Sequence, residues 1–432
     1  MINKLRRQSP ARIIAMGFAL MILLGTLLLS LPCSVKEGID VNFVDTLYTS
    51  TSAVCVTGLI AVDAGDTFTP LGQFFLAVLI QIGGLGVTAV GAGVIIAMGR
   101  KVDLKGRNII REAMNLDSGK GVVRFLRNVF FTTAAFELAG AVLSFPVFAR
   151  DHPPVKAAGI SLFHSVAAFN NSGFDILGGG TNLIPYQSST ALNLVTCALI
   201  IFGGIGFLVI RDVLDKRFRW KKFSMHTKVV LSMSAGLIIV GTLLLKLTEN
   251  ITWLGAFFQS VTARTAGFCT YPLGGFTNAG LMVMIVLMFI GASPGSTGGG
   301  IKTTTFFALL QGVKSAATNR SEKAFRYSMP GAAFRKGAVI ALIGLSVVLS
   351  GTFVMALLEP DIPLRDVLFE ITSAFGTVGL STGITGGLSS GSKLLSILIM
   401  YIGRLGTMTI ATMWYFNKGE RVSYPEGDIA IG

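Results

Sequence analysis

Charge is scarce in this sequence. Only 13% of its 432 residues are Asp, Glu, Lys or Arg, about half the usual quarter, which excludes a water-soluble globule of this length. Cysteine is scarce too. Cys33, Cys55, Cys197 and Cys269 show no paired spacing, so neither a disulfide framework nor a cysteine metal site follows. Three histidines, His152, His164 and His226, are scattered and form no ligand set with them. No convergent acid, base, nucleophile or metal set is visible, so the sequence offers no enzyme site. Acidic residues number 22 against 36 basic ones, and the placement of that excess decides its meaning.

Apolar residues make up 52% of the chain. Eight stretches are long enough to cross a bilayer, which takes about 20 apolar residues: 11–31, 70–98, 127–149, 189–210, 229–247, 279–309, 336–358 and 392–416. The first lacks a small-residue cleavage site and reads as a retained span. The basic residues cluster in the arm holding Lys4, Arg6, Arg7 and Arg12 and in segments 100–127, 211–228 and 314–336, which together hold 25 of the 36. The arm precedes the first crossing and the others follow even-numbered crossings, so all four lie on one side. Segments on the other side carry acids, among them Asp45, Asp63, Asp66, Asp175, Glu249, Glu359, Asp366 and Glu370. This is the positive-inside pattern. It predicts a multi-pass protein of the cell membrane with both termini cytoplasmic, the bilayer as its surroundings and no nucleic-acid partner.

Four glycine segments interrupt the spans: Ala53-Val54-Cys55-Val56-Thr57-Gly58-Leu59, Phe169-Asn170-Asn171-Ser172-Gly173-Phe174, Thr262-Ala263-Arg264-Thr265-Ala266-Gly267-Phe268 and Ser373-Ala374-Phe375-Gly376-Thr377-Val378-Gly379-Leu380. A second set of glycines, Gly83, Gly203, Gly291 and Gly403, follows the first at separations of 25, 30, 24 and 24 residues. Such regularity predicts one unit used four times: outer helix, re-entrant pore helix, filter strand, inner helix. Small residues that let helices pack closely in lipid are a second explanation of the later glycines, compatible with the first. The pore helices are expected at 43–54, 156–169, 251–263 and 364–375, each too short to span. Asp45 and Asp366 suit the N-termini of two of them, and four C-terminal dipole ends aimed at one cavity would favour a cation. The expected fold class is an all-α membrane protein with eight transmembrane helices and four pore helices around one central pore. The repeats are expected at 1–105, 106–222, 223–325 and 326–432.

A filter strand must turn successive carbonyls toward one axis, which glycine permits and other residues resist. The ion-binding filter is therefore expected at Val56, Thr57 and Gly58; Asn171, Ser172 and Gly173; Thr265, Ala266 and Gly267; and Thr377, Val378 and Gly379. Thr377-Val378-Gly379 matches the opening of the potassium-channel filter signature. The four short segments contain no carboxylate, so carbonyl coordination is expected to set selectivity. Asp175, two residues beyond Gly173, reads equally as a cation attractor or a solvated loop acid. Arg264 is expected to point away from the pore, toward an acid or backbone oxygens.

These segments resemble those of the membrane subunit of the bacterial Ktr potassium uptake systems, in the Trk/Ktr/HKT superfamily. The resemblance covers almost the whole chain. It also rests on Gln81-Ile82-Gly83-Gly84-Leu85-Gly86, Ser293-Pro294-Gly295-Ser296-Thr297-Gly298-Gly299, Ile402-Gly403-Arg404 and Tyr424-Pro425-Glu426-Gly427. It implies one pore per chain, a homodimer, potassium as the transported ion, and a separate cytoplasmic ring of nucleotide-binding RCK subunits. The basic loops and C-terminal tail are the expected docking surface, with no nucleotide site on this chain itself. Sodium is compatible as a regulator. The third inner span carries five glycines and a proline between Gly291 and Gly300, which should break a helix. Its Gly295-to-Gly300 spacing suggests a phosphate loop, but Ile301 separates the last glycine from Lys302 and the segment lies inside a span. A flexible loop and a packing kink are the two structural readings. The resemblance favours the loop and implies a gate at Gly295, Ser296, Thr297, Gly298, Gly299, Gly300 and Lys302, with Arg404 against it. A cation at that depth is costly, so a functional role is the default reading. Lys302 fits a cytoplasmic cavity or an anionic lipid. Channel-like potassium uptake is the expected function, with a sodium- or proton-coupled potassium symporter as the alternative.

Overall fold

A computed structural model of the chain describes residues 9–98, 104–113, 121–407 and 409–410. Four long helices frame it: α1 (Pro10–Leu29), and further along the chain Val122–Phe148, Met225–Thr248 and Ala333–Leu358. Among the described residues these four are long and apolar enough, each by itself, to cross a membrane. Their outward faces expose large apolar side chains, including Leu27, Val142, Leu247 and Leu342, a surface that water would penalise and lipid would not.

Each long helix is followed by a short one: α2 (Phe43–Val54), then Pro154–Phe169, Trp253–Thr262 and Leu364–Gly376. Asn42 caps the first through Val44 N at 3.2 Å, and Thr252 caps the third through Gly255 N at 3.0 Å, satisfying donors that a helix start leaves open. The long and short helices cross where glycine permits close approach. A β-carbon at Gly25, Gly140 or Gly241 would strike the hydroxyl of Ser50, Ser165 or Ser260 respectively, while Gly351 lies against Ile371 and Ile399. The three serines donate to the carbonyls of Ile22 (2.7 Å), Glu137 (2.6 Å) and Ile238 (2.8 Å).

The first two inner helices differ from the expected continuous spans, while the third breaks as its composition predicts. Here α3 (Pro70–Leu85) stops at Gly86 and α4 (Val87–Ala97) leaves at 99°. After α5 (Leu104–Ala113), the long helix Val122–Phe148 is α6 and its short partner Pro154–Phe169 is α7. Next, α8 (Thr190–Ile205) stops at Gly206 and α9 (Phe207–Asp215) turns by 95°. Gly86 and Gly206 hold φ near 90° with extended ψ, a region open to glycine almost alone. The long helix Met225–Thr248 is α10, and its short partner Trp253–Thr262 is α11. The third inner element splits into α12 (Asn278–Phe289) and α13 (Thr303–Thr318), with non-helical chain between them. Ala333–Leu358 is α14 and Leu364–Gly376 is α15. Finally, α16 (Ser390–Leu405) ends at Gly406. Residues 411–416 of the last expected span, the tail 424–427 and Lys4, Arg6 and Arg7 lie outside the described residues.

Candidate functional site

The four short helices end in the same backbone turn. Val56, Asn171, Thr265 and Thr377 adopt φ of 55°, 58°, 68° and 49°, and two residues later Gly58, Gly173, Gly267 and Gly379 adopt 91°, 69°, 82° and 93°. A left-handed residue with a β-carbon costs about 1–2 kcal/mol, so its neighbours must hold it. Residues of the helix ends do so: Thr57 N donates to Ser52 O at 2.7 Å, Ser172 N to Ala167 O at 2.9 Å and Val378 N to Ser373 O at 2.9 Å. Gly58 N and Gly379 N donate to the hydroxyls of Ser52 (3.0 Å) and Ser373 (3.1 Å).

The four turns close a ring. A β-carbon added at Gly58 would stand 3.1 Å from Gly173 Cα; at Gly173, 2.8 Å from Gly267 Cα; at Gly267, 3.2 Å from Gly379 Cα; and at Gly379, 2.8 Å from Gly58 Cα. Each glycine therefore yields its side-chain space to the backbone of the next segment. Thr57 Oγ1, Asn171 Nδ2, Ser172 Oγ, Thr265 Oγ1 and Thr377 Oγ1 are buried there without a hydrogen-bond partner in the protein. Leaving a buried polar group unmatched costs about 1–3 kcal/mol. A site that gathers four hydroxyls and the surrounding carbonyls is suited to a partly dehydrated cation.

The residues between α12 and α13 pack directly against this ring. Gly298 leaves no room for a β-carbon beside the Thr265 hydroxyl, and Gly299 leaves none beside that of Thr377. Thr297 Oγ1 donates to Phe169 O and Asn171 Oδ1, both at 3.2 Å, and Ser293 N donates to Gly204 O at 3.0 Å. Ser296 Oγ turns back to Ser293 O at 2.6 Å. Gly295 O accepts from Phe207 N at 3.1 Å, and Gly300 holds φ 66° beside Gly291. Lys302 Nζ donates to Gly298 O at 2.8 Å and Gly299 O at 3.3 Å. Arg404 donates to Thr297 O and Gly83 O, and to Gly84 O at 3.2 Å. Thus the loop, Lys302 and Arg404 meet beneath the ring. Arg264 turns to backbone oxygens, Ser234 O at 3.3 Å and Gly291 O at 3.5 Å.

The TrkH family, described as a cation transport protein, matches residues 5–245 and 239–418. This chain belongs to the TrkH family. It is 36% identical over 99% of its length to 98% of the "Potassium/sodium uptake protein NtpJ" of Enterococcus hirae. It is 35% identical over 99% of its length to 97% of the "Ktr system potassium uptake protein B" of Bacillus subtilis. The fold is similar to that of the potassium transporter TrkH from Vibrio parahaemolyticus, with a TM-score of 0.74 and 18% identity, covering 95% of this chain and 86% of that one.

Further side chains of this TrkH-family protein bond around these segments, and Asn182 among them carries no local sequence signal. Asn182 Nδ2 donates to Gly173 O at 3.1 Å and to Asp175 Oδ2 at 2.8 Å, while its Oδ1 accepts from Cys269 N at 3.0 Å. Asp175 is therefore a buried, bonded acid rather than a free loop carboxylate. Burial lifts its pKa to about 6; the Leu177 amide opposes that rise, and Asp63 and Asp66 reinforce it. Glu370 Oε1 accepts from Thr385 Oγ1 at 2.6 Å. Lys393 Nζ meets Asp45 Oδ1 at 2.7 Å, tying α16 to α2 and so the last segment to the first. His164 Nε2 bonds Thr196 Oγ1 at 2.9 Å, a packing role. The Gly83, Gly203 and Gly403 landmarks admit the carbonyls of Val54, Phe169 and Phe375 at the short-helix ends.

Proposed function

We propose that this chain is a potassium-selective, channel-like uptake subunit. One pore would run through the ring at Gly58, Gly173, Gly267 and Gly379, with eight crossings in four repeats at 1–105, 106–222, 223–325 and 326–432. The observation that carries this reading is the head-to-tail contact of the four filter glycines, with unmatched hydroxyls gathered around them. Carbonyls in such a ring can replace the water shell of a potassium ion from all sides. The Ktr relatives, named for potassium uptake, support potassium as the substrate. The loop at 295–300, with Lys302 and Arg404, would be the gate. Positive charge from Arg404 beneath the filter opposes cation passage while the loop is docked. The basic segments support cytoplasmic termini in the cell membrane, and the Ktr names support a multi-component system, here a homodimer on a cytoplasmic RCK ring.

The test is potassium and sodium flux into proteoliposomes across a set potential, which supplies about 2.3 kcal/mol per charge per 100 mV. Potassium flux should follow voltage, exceed sodium flux, and lose that preference in Gly379→Ser. Coupled symport is the second reading, favoured by the potassium/sodium name of the Enterococcus relative. A strict requirement for a second ion gradient would replace the channel reading with it.

A further inference from the structure

The four long helices cross their short partners alike, but one crossing carries an acid. Three residues before Gly25, Gly241 and Gly351 stand Ile22, Ile238 and Val348; three before Gly140 stands Glu137. A carboxyl within a membrane helix is costly and calls for a partner. Its Oε1 lies 3.0 Å from Asn170 Nδ2, and Gln81 reaches the same carboxyl. Asn170 Nδ2 also lies 2.9 Å from Gln81 Oε1 and 2.9 Å from Val166 O. Its two hydrogens thus stand among three acceptors.

Asn170 sits where two parts of the ion pathway meet. It ends α7, and the next residue, Asn171, opens the second filter turn and accepts from Thr297 of the loop. Asn170 Oδ1 rests on Gly84, whose carbonyl accepts from Arg404. Three residues before the other filter glycines stand Cys55, Arg264 and Gly376, so this brace belongs to the second segment alone. Glu137 and Gln81 line a groove of about 640 Å³ with Phe74, Val78, Phe130 and Leu162. The carboxyl therefore lies behind the filter, not in it.

We propose that Glu137 is a positioning residue that fixes Asn170 and, through it, both the second filter turn and the Gly84 carbonyl that receives Arg404. The inference rests on the ring being the ion pathway. It is tested in proteoliposomes of the full chain by the potassium-to-sodium flux ratio and the basal potassium flux. Glu137→Gln retains an oxygen acceptor and should keep the ratio within about twofold of wild type. Glu137→Leu leaves the Gln81 amide that reaches the carboxyl unmatched, and Asn170→Ala leaves the carboxyl short of a donor, so each should lower the ratio about tenfold, the effect of one unmatched buried group, and raise basal flux. The double variant should fall no further than either single one. A wild-type ratio and basal flux in Glu137→Leu would overturn the proposal, as would a Gln variant as impaired as the Leu variant. Should Glu137→Leu fail to insert, Gln81→Leu takes a side-chain partner from both Glu137 and Asn170 and carries the same expectation and the same overturning result. Wild-type protein without voltage-driven potassium flux would instead strike the pore reading itself.

Discussion

At Gly379 two constraints coincide. Its φ of 93° disfavours any β-carbon, and Thr57 O and Gly58 Cα occupy the space one would need. Serine there must displace the first segment, which is why lost selectivity, rather than lost folding alone, is the expected result. Asp175 gives a pH signature. Burial raises its pKa from 3.8 to about 6, so the carboxylate is charged above that value and neutral below it. Relative to the unfolded chain, the shift favours the folded state in acid, and that contribution fades as pH rises through about 6. For transport the sign is opposite, because the negative charge near the ring exists only above about 6. Lowering external pH from 7.5 to 5 should therefore weaken potassium uptake at low potassium, measured as a rise in the half-saturating concentration. Asp175→Asn should start from that weakened level and show little further pH response.

At the scale of elements, the third inner segment is set apart by composition. The first two inner segments bend once at a glycine, whereas this one opens into a loop held by Thr297, Ser293, Lys302 and Arg404. Because these contacts come from several elements, removing one should loosen the loop without unfolding the frame. Arg404→Ala, or shortening at 296–300, should raise potassium flux several-fold in the same vesicles. Unchanged flux in both variants, with normal thermal stability, would refute gating by this loop. The short helices behave differently, since their large side chains Tyr48, Phe169, Phe258 and Phe375 are fully buried, Phe169 on Phe136 of α6 and Phe375 against Gly344 of α14. They are rigid supports, and the strained turns after them depend on that rigidity.

For the whole molecule, ring closure is the central fact. Lys393 and Asp45, 348 residues apart, join α16 to α2, and Tyr48 OH meets Ser396 Oγ at 3.3 Å nearby. A mass measurement in mild detergent should find two chains, and addition of an RCK ring should change flux; a monomer unaffected by such a ring would remove both assembly proposals. Much of this architecture was legible locally. Apolar length, charge asymmetry and repeated glycines each follow from the solvent and from backbone sterics, so the sequence by itself determined a polytopic membrane chain, the short-helix positions and the glycine turns that end them. The break at Gly86 was not legible, because a glycine inside an apolar run serves equally for packing or for a bend, and only its neighbours choose. Nor were Glu137 and Asn182, which meet Gln81 and Cys269 on other segments. Tertiary structure alone decided which hydroxyls stay unmatched, which carbonyls Arg404 reaches and how four turns close on one axis, since each depends on distances between segments remote in sequence.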